Sequence, residues 1–297
     1  MIVCKFGGSS TTTEAGIENI KRISKNPNRR VFVFSAIGRI RKNDKKLTDL
    51  LIDYFDKRDY DLLKKIEKRI NYLCNITKER ICTKKLINEI TSSNDRNFVV
   101  SRGEYVTTKI MSKFLGLKFV PAEKVVMFDG DKVDYNSTEK RIKKYLQKHQ
   151  KVCTCGYYGY DRRSKKIKLF SRGGGDTTGA ILSKILGAKV YENYTDVCGV
   201  KEVNPKLFEN AKTIKRISYA DMETLSSYDC NVLHKSVCEI LGGTKIKTKI
   251  INLFDIKGEK TEINNCHKKV NFFCFKKNKN KFEILLNVLG KKNEIIF

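Results

Sequence analysis

Several residue types and features are scarce in this chain. Its 297 residues include no tryptophan and only 3 prolines, which argues against a proline-rich scaffold. The 3 histidines are His149, His234 and His267, and we expect each to be structural or exposed rather than catalytic. No apolar run approaches the roughly 20 residues that cross a bilayer, and Lys5 with the adjacent glycines interrupts any signal-peptide core. The sequence therefore predicts a cytoplasmic protein without a membrane segment.

Cysteine is too dilute to form a scaffold. Ten cysteines in 297 residues predict free thiols in a reducing compartment rather than a disulfide framework. Cys153 and Cys155 stand two apart, with no second pair at zinc-like spacing. We interpret them as alternating positions of a buried strand, and we expect no metal site built from side chains.

Acidic residues are outnumbered, 33 against 61 lysines and arginines, so the formal net charge is +28. Such an excess is compatible with a nucleic-acid partner. The lysines, however, are spread along the whole chain among abundant asparagine and isoleucine. We therefore interpret most of this charge as solvated surface and expect no nucleic-acid partner. With 40% hydrophobic residues, the chain can bury a substantial core.

Short apolar runs that end in glycine-bearing turns and alternate with helical stretches indicate a parallel α/β sheet. Strands are predicted at 2–4, 31–34, 98–100, 119–120, 125–126, 152–155, 169–170 and 189–191. Helices are predicted up to about Ser24, across 47–95, after 101–104, and from Thr177 to Leu186. Lysines alternate with Ile246, Thr248 and Ile250, a pattern typical of an edge strand.

Polar clusters follow these predicted strands, and ligands bind at the carboxyl ends of parallel strands. We expect the clusters to form one large site; they lie at 5–10, 35–38, 101–104, 156–159, 172–176 and 195–196. In the fifth cluster Arg172 can grip a carboxylate or phosphate, and the three glycines that follow let backbone N–H groups approach an anion. Lys5 with Gly7 and Gly8 repeats this arrangement. Two such anion sites suit a nucleoside triphosphate and an acidic second substrate.

Common nucleotide fingerprints are missing from the sequence. No G-x-x-x-x-G-K-[ST] occurs, which excludes a P-loop protein. Gly173, Gly175 and Gly179 approach G-x-G-x-x-G, but the last gap is one residue too long, so a Rossmann dinucleotide site is rejected.

Motifs across residues 1–257 carry a family resemblance. They are KFGGSS at 5–10, SRGE at 101–104, SRGGGDTT at 171–178, YTDVCGV at 194–200, NPK at 204–206, ISY at 217–219, VLH at 232–234 and the segment 247–255. In order and spacing these motifs resemble those of the aspartokinases, within the amino acid kinase superfamily. The resemblance implies a three-layer α/β/α sandwich on a mainly parallel open sheet. It also implies ATP-dependent phosphorylation of the aspartate side-chain carboxylate to 4-phospho-L-aspartate, the first step towards lysine, threonine and methionine.

The resemblance also assigns roles to residues. Lys5 would stabilise charge on the transferred phosphoryl group, and Asp176 would orient that lysine or the metal shell. The phosphate path would be lined by Gly7, Gly8 and Ser9. The acidic substrate would be bound by Ser35, Thr48, Glu104, Arg172, Gly173, Gly174 and Gly175, with Glu104 on its ammonium and Arg172 on a carboxylate. ATP would be contacted by Thr195, Asp196, Lys201, Lys206 and Asn231, and Mg²⁺ would be held mainly through ATP phosphates.

The sequence departs from the family pattern at several places. Lys206 replaces the arginine of D-P-R, which keeps the charge but loses the planar fork. Gly175 replaces a serine, Asn231 stands where many members have a lysine, and Cys198 stands where an acidic or small residue is common. Most of these changes fall at the nucleotide end.

The resemblance suggests a domain division. Residues 1–257 would form the catalytic domain, with a helical insertion at about 47–95. Residues 258–297 would form a short appendage, at most a remnant of the ACT regulatory region, because forty residues are few for an independent core. We expect a homodimer that binds ATP and L-aspartate.

Two alternatives stay open. One is the same chemistry on another acidic substrate. The other is a weakened relative that binds nucleic acid through the patch formed by Phe272, Phe273, Phe275, Lys276, Lys277 and Lys279.

Overall fold

Strands and helices alternate along most of the chain. The computed structural model describes residues 1–171, 173–206, 208–228, 230, 232–265, 270–278, 281–288 and 291–296. The strands are β1 (Ile2–Phe6), β2 (Arg29–Phe34), β3 (Lys118–Val120), β4 (Met127–Asp129), β5 (Lys132–Val133), β6 (Val152–Cys155), β7 (Tyr158–Asp161), β8 (Lys166–Leu169), β9 (Val190–Thr195), β10 (Arg216–Ser218), β11 (Lys247–Asn252), β12 (Lys260–Asn264), β13 (Phe272–Asn278), β14 (Lys281–Val288) and β15 (Lys291–Ile296). The helices are α1 (Glu14–Ser24), α2 (Leu47–Lys57), α3 (Tyr60–Thr77), α4 (Thr83–Ser92), α5 (Arg96–Leu115), α6 (Tyr135–Lys148), α7 (Gly174–Ile185), α8 (Tyr219–Ser227) and α9 (Lys235–Leu241), and 3₁₀ turns lie at Gly8–Thr11 and Ala122–Lys124.

The large sheet has the strand order β10-β12-β11-β9-β1-β2-β6-β3. Neighbouring strands from β11 to β3 are parallel, whereas β12 is antiparallel to β11. The carboxyl ends of β9, β1, β2 and β6 therefore lie side by side at one edge of the sheet, where open parallel sheets bind ligands.

Helices cover both faces of this sheet. Val31 and Val33 of β2 face a core shared with α6, α7, α8 and α9. Phe32 and Phe34 face a second core shared with α1 to α5. Because successive side chains of a strand point to opposite faces, one strand contributes to both cores. The predicted three-layer α/β/α sandwich on a mainly parallel sheet is confirmed.

The strand predicted at 98–100 is wrong, because these residues lie in the first turns of α5. Asp95 caps this helix by accepting hydrogen bonds from the backbone N–H groups of Asn97 and Phe98, at 2.9 and 3.2 Å. Much of α5 is buried, so its sequence lacks a clear helical period and resembles a buried strand. Residues 101–104 consequently lie inside a helix rather than in a turn after a strand.

Two further strand predictions need correction. No strand forms at 125–126, because the N–H groups of Val125 and Val126 both bond the Ala122 carbonyl, which continues the 3₁₀ turn; β4 begins at Met127. The predicted edge strand around Ile246 to Ile250 is β11, which lies inside the sheet between β9 and β12. The alternating lysines could not predict this interior position, because the strand that covers the outer side of β11 is β12, which follows later in the chain.

Two smaller sheets accompany the large one. The strand predicted at 169–170 corresponds to β8, which belongs to a sheet ordered β5-β4-β7-β8. The last three strands form an antiparallel sheet, β13-β14-β15. Its buried residues Phe272, Cys274 and Leu285, with Val270 just before β13, join the core under α8 and α9. The division at residue 257 stays a prediction, and β12, which follows it, pairs within the large sheet. Across the described ranges, no helix has both the length and the apolar character needed to span a bilayer.

Candidate active site

The turns after β1, β2 and β9 meet at the carboxyl edge of the sheet. The Gly38 N–H donates a hydrogen bond to the Gly8 carbonyl at 2.9 Å. The Gly7 N–H donates to the Tyr194 carbonyl at 3.2 Å. A Cβ on Gly8 would lie 2.7 Å from the Ala36 carbonyl oxygen, so the two turns pack too closely for a side chain there. Three of the predicted polar clusters thus share one wall.

The start of α7 packs against the same wall. Its N-cap, Gly173, has φ +78°, a backbone conformation that favours glycine. A Cβ on Gly175 would lie 2.7 Å from Ser35 Oγ and 3.5 Å from Lys5 Cε. A Cβ on Gly156, in the turn after β6, would lie 2.7 Å from the Gly175 Cα. The positive end of a 12-residue helix therefore faces the ends of β1, β2 and β6.

Lys5 and Asp176 form the charged centre of the site. The Lys5 Nζ lies 2.6 Å from Asp176 Oδ1, and each side chain is only 12% exposed. Asn193, which is the register partner of Lys5 on β9, accepts from Lys5 Nζ at 3.3 Å and donates to Asp176 Oδ1 at 3.0 Å. The His234 backbone N–H donates to Asp176 Oδ2 at 3.2 Å. The carboxylate is therefore held on both oxygens, and it fixes the ammonium at the end of β1.

Asn193 and His234 were not among the predicted site residues. Asn193 is a fully buried polar residue in a strand whose other positions are mostly buried, and buried polar groups need partners, which Lys5 and Asp176 provide. His234 lies in the VLH segment, where its imidazole caps α9 and its backbone serves Asp176. A Cβ on Gly173 would meet this ring at 2.3 Å, which is a second reason for glycine there.

A buried carboxyl lies beside the turn after β2. Glu104 is 4% exposed, and Thr48 Oγ1 donates to its Oε1 at 3.5 Å. Its Oε2 has no hydrogen-bond partner among the described residues. Burial raises the pKa of Glu104 to about 8, against weaker opposing effects from the Ala36 backbone and Thr48. A buried oxygen without a partner is costly, so this pocket is suited to a cationic group of a ligand.

The residues expected to contact the nucleotide are less closely gathered. Thr195 and Asp196 follow β9, with Thr195 Oγ1 donating to Asp196 Oδ1 at 3.2 Å. Lys201 Nζ donates to Thr213 Oγ1 at 2.6 Å and lies 3.4 Å from Glu259 Oε2. No contact among the described residues joins Lys201 to the Lys5 centre.

Other predicted site residues are exposed or lie outside the described ranges. Lys206 is exposed, and its backbone N–H bonds Asn204 Oδ1 at 3.0 Å. Arg172 and Asn231 lie outside the described residues, as does His267. Within the described ranges, no three His, Cys, Asp or Glu side chains are grouped so as to hold a metal ion.

Known protein sequences are similar to this chain over most of its length. Residues 1–252 match the amino acid kinase family. The chain is 30% identical over 260 residues to aspartokinase 3 of Bacillus subtilis, covering 79% of this chain and 57% of that protein. It is 26% identical over 272 residues to the aspartokinase of Rickettsia felis, covering 89% and 60%. The chain thus spans less than two thirds of these curated relatives.

Solved structures show a similarity to the same group of proteins. The crystal structure of Clostridium acetobutylicum aspartate kinase matches with a TM-score of 0.85 at 30% identity, covering 96% of this chain and 68% of that one. Escherichia coli aspartokinase III in complex with aspartate and ADP shares the fold, with a TM-score of 0.76 at 18% identity over 93% of this chain and 67% of that one.

The fold and the family match define a class: this chain belongs to the amino acid kinase family, whose fold is that of phosphotransferases. Within that family its similarity is to the aspartokinases, so the resemblance predicted from the motifs is confirmed.

Proposed function

We propose that this chain catalyses ATP-dependent phosphorylation of the side-chain carboxylate of L-aspartate, giving 4-phospho-L-aspartate for lysine, threonine and methionine synthesis. The observation that carries the proposal is the Lys5–Asp176 pair, held by Asn193 at the junction of the glycine turns with α7. The buried Glu104 oxygen, which has no partner within the described ranges, lies close to the same wall and supports an amino acid as the acceptor.

Phosphoryl transfer needs positioning and positive charge more than covalent catalysis. A side-chain oxygen of aspartate attacks the γ-phosphorus, and the bond from that phosphorus to the oxygen bridging to ADP breaks. Lys5 is placed to neutralise charge on the transferred group, while Asp176 holds its ammonium in position. The turn containing Gly7, Gly8 and Ser9 lies beside Lys5, since a Cβ on Gly7 would be in ordinary contact with Lys5 Nζ at 3.8 Å, so a phosphate bound at this turn would lie close to the ammonium.

The acceptor would lie on the β2 side of Lys5. There Glu104 is expected to pair with its ammonium, Thr48 and Ser35 to contribute hydrogen bonds, and Arg172 to hold a carboxylate. The N-terminal glycines of α7, Gly173, Gly174 and Gly175, would close this side.

The nucleotide would lie on the β9 side, near Thr195 and Asp196, and we extend the same role to Lys201, Lys206 and Asn231. Mg²⁺ prefers oxygen ligands and keeps several waters, so it would be held mainly by phosphate oxygens and would neutralise their charge. We further propose a cytoplasmic homodimer with residues 1–257 as the catalytic domain and 258–297 as an appendage.

Hydroxylamine trapping of the acyl phosphate tests the proposal directly. The protein is incubated with ATP, Mg²⁺ and a panel of acids, with Lys5→Ala as the inactive control. We expect hydroxamate from L-aspartate in preference to glutamate and other acids. Product from another acid alone would identify a different acidic substrate. No product from any acid, with oligonucleotide binding that salt weakens and deletion of 268–281 abolishes, would indicate a binding protein.

A further inference from the structure

The segment between β2 and α2 places concentrated positive charge at the candidate site. Residues 39–46, which we call the basic loop, read RIRKNDKK, with five basic residues and one acidic residue. Lys45 is paired with Asp53 of α2. Four other basic side chains of the loop are exposed and have no ion-pair partner among the described residues: those of Arg39, Arg41, Lys42 and Lys46.

Both ends of the basic loop join the wall of the site. At its start, Gly38 donates its N–H to the Gly8 carbonyl at 2.9 Å. At its end, the Leu47 N–H donates to the Ile37 carbonyl at 3.3 Å, and the next residue, Thr48, bonds Glu104. The loop therefore leaves the wall and returns to it beside the Glu104 pocket.

A buried arginine fixes the basic loop in place. Arg69 of α3 is 8% exposed, and its Nη1 donates to the Gly38 carbonyl. Its Nη2 lies 3.0 Å from Asp44 Oδ2, which also accepts from the Arg41 N–H at 3.1 Å. Asp44, the single acidic residue of the loop, is thus already paired with Arg69. The remaining cations of the loop are left without an internal counter-charge. The following helix, α2, carries three acids, of which Asp53 is paired with Lys45, Asp56 lies 3.7 Å from Arg96, and Asp49 is exposed.

The position of the loop indicates which substrate it serves. β2 and β9 flank β1 on opposite sides in the sheet. The basic loop follows β2 and adjoins Glu104, whereas Thr195 and Asp196 follow β9. The electrostatic field of the basic loop therefore acts mainly on the pocket for the acidic substrate and less on the nucleotide side.

We propose that the basic loop is a recognition element for the acidic substrate, in which Arg39, Arg41 and Lys42 attract the anionic acid and hold it at the entrance to the Glu104 pocket. The inference rests on the proposed function and extends it to substrate selection. Exposed cations attract an anion through a field that salt screens, and the attraction applies equally to ground and transition states. The loop should therefore affect KM for the acid and leave kcat unchanged.

A triple variant, R39Q/R41Q/K42Q, tests the proposal. Its matched control is R141Q/K144Q/K148Q on α6, which removes the same number of charges from exposed residues. The end of α6 lies near the start of β2, since Arg30 donates to the Leu146 carbonyl at 3.1 Å, so the control sits at the opposite edge of the sheet.

We expect the loop variant to raise KM for aspartate about fivefold to tenfold at low ionic strength, with kcat and KM for ATP within about twofold. At about 0.5 M salt the difference should fall below about twofold, and the α6 control should behave as the parent. An unchanged KM for aspartate, an equal shift in the control, or a shift confined to KM for ATP would overturn the proposal.

Calorimetric titration with aspartate separates this inference from the proposed function. If the parent makes no hydroxamate from aspartate but binds it, and the loop variant alone binds it more weakly with the stated salt dependence, the recognition role stands and the proposed reaction fails. If the parent turns aspartate over and the variant binds it equally well, the recognition role fails alone. If another acid is the true substrate, the same two measurements are made with that acid.

Discussion

The Lys5 ammonium and the Asp176 carboxylate lie 2.6 Å apart across the junction of β1 and α7, and Asn193 bonds both. The charge that phosphoryl transfer requires is therefore positioned by the folded chain itself. Such preorganisation avoids reorienting dipoles as charge develops in the transition state.

Removal of the ammonium should abolish most of the turnover. We expect Lys5→Ala to lower kcat about 10²- to 10³-fold, the loss typical of deleting one group that stabilises developing charge. Asn193 and His234 continue to donate to Asp176, so the variant should stay folded by circular dichroism. The control is Lys189→Ala, an exposed lysine just before β9 at the other edge of the sheet. Turnover of Lys5→Ala within tenfold of the parent would contradict this role.

Two adjacent glycines should respond differently to the same substitution. A Cβ on Gly7 finds only ordinary contacts and lies 3.8 Å from Lys5 Nζ, so Gly7→Ala should melt like the parent but bind ATP more weakly. A Cβ on Gly8 would overlap the Ala36 and Gly38 backbones, so Gly8→Ala should lose about 1–3 kcal/mol of stability. Thermal melting and KM for ATP separate the two effects; equal melting temperatures for both variants would refute the packing argument.

The buried Glu104 should make stability and substrate binding depend on pH. Its pKa of about 8 in the folded chain exceeds the usual 4.5, so the folded state retains a proton that the unfolded state has lost. The resulting stabilisation is complete below about pH 4.5 and is lost as the pH rises through about 8. Glu104→Gln should flatten this part of the melting profile measured from about pH 5 to about pH 9.

Substrate affinity should change in the opposite direction. An ammonium binds the ionised carboxylate, so KM for aspartate should fall as the pH rises towards 8, and Glu104→Gln should raise KM and remove this trend. Thr48→Val, which removes only the neighbouring hydroxyl, serves as the comparison and should keep the pH dependence. A parent KM that does not vary over this range would contradict the assignment.

The C-terminal sheet, which belongs to the proposed appendage, should nevertheless contribute to the stability of the main core. Phe272, Cys274 and Leu285 are buried in the core under α8, and the Phe273 N–H bonds the Glu202 carbonyl at 2.8 Å. Deletion of 266–297 should therefore lower the melting temperature, because apolar surface of the main core becomes exposed. A truncated protein that melts like the full chain would instead support an independent appendage.

The sequence predicted the fold, and it predicted that several polar clusters meet at one edge of the sheet, because strand ends carry local signals. Lys5 and Ser35 each follow an apolar run, at 2–4 and 31–34, and parallel pairing brings such positions to one edge. Glu104 was placed in a turn after a strand, whereas it projects from the middle of α5, because a helix buried on many sides resembles a strand in sequence. Asn193 was missed since only the register of β1 against β9 brings it opposite Lys5, and register is not visible in one strand alone.

Arg69 connects the helical layer to the basic loop. It projects from α3, and its two terminal nitrogens bond the Gly38 carbonyl, just before the basic loop, and Asp44, within that loop. A shift of α3 against its neighbours would therefore move the basic loop, because Asp44 also accepts a hydrogen bond from the Arg41 N–H at 3.1 Å. If the basic loop recognises the substrate as proposed, packing changes between helices would alter that recognition while Lys5 and Asp176 keep their positions.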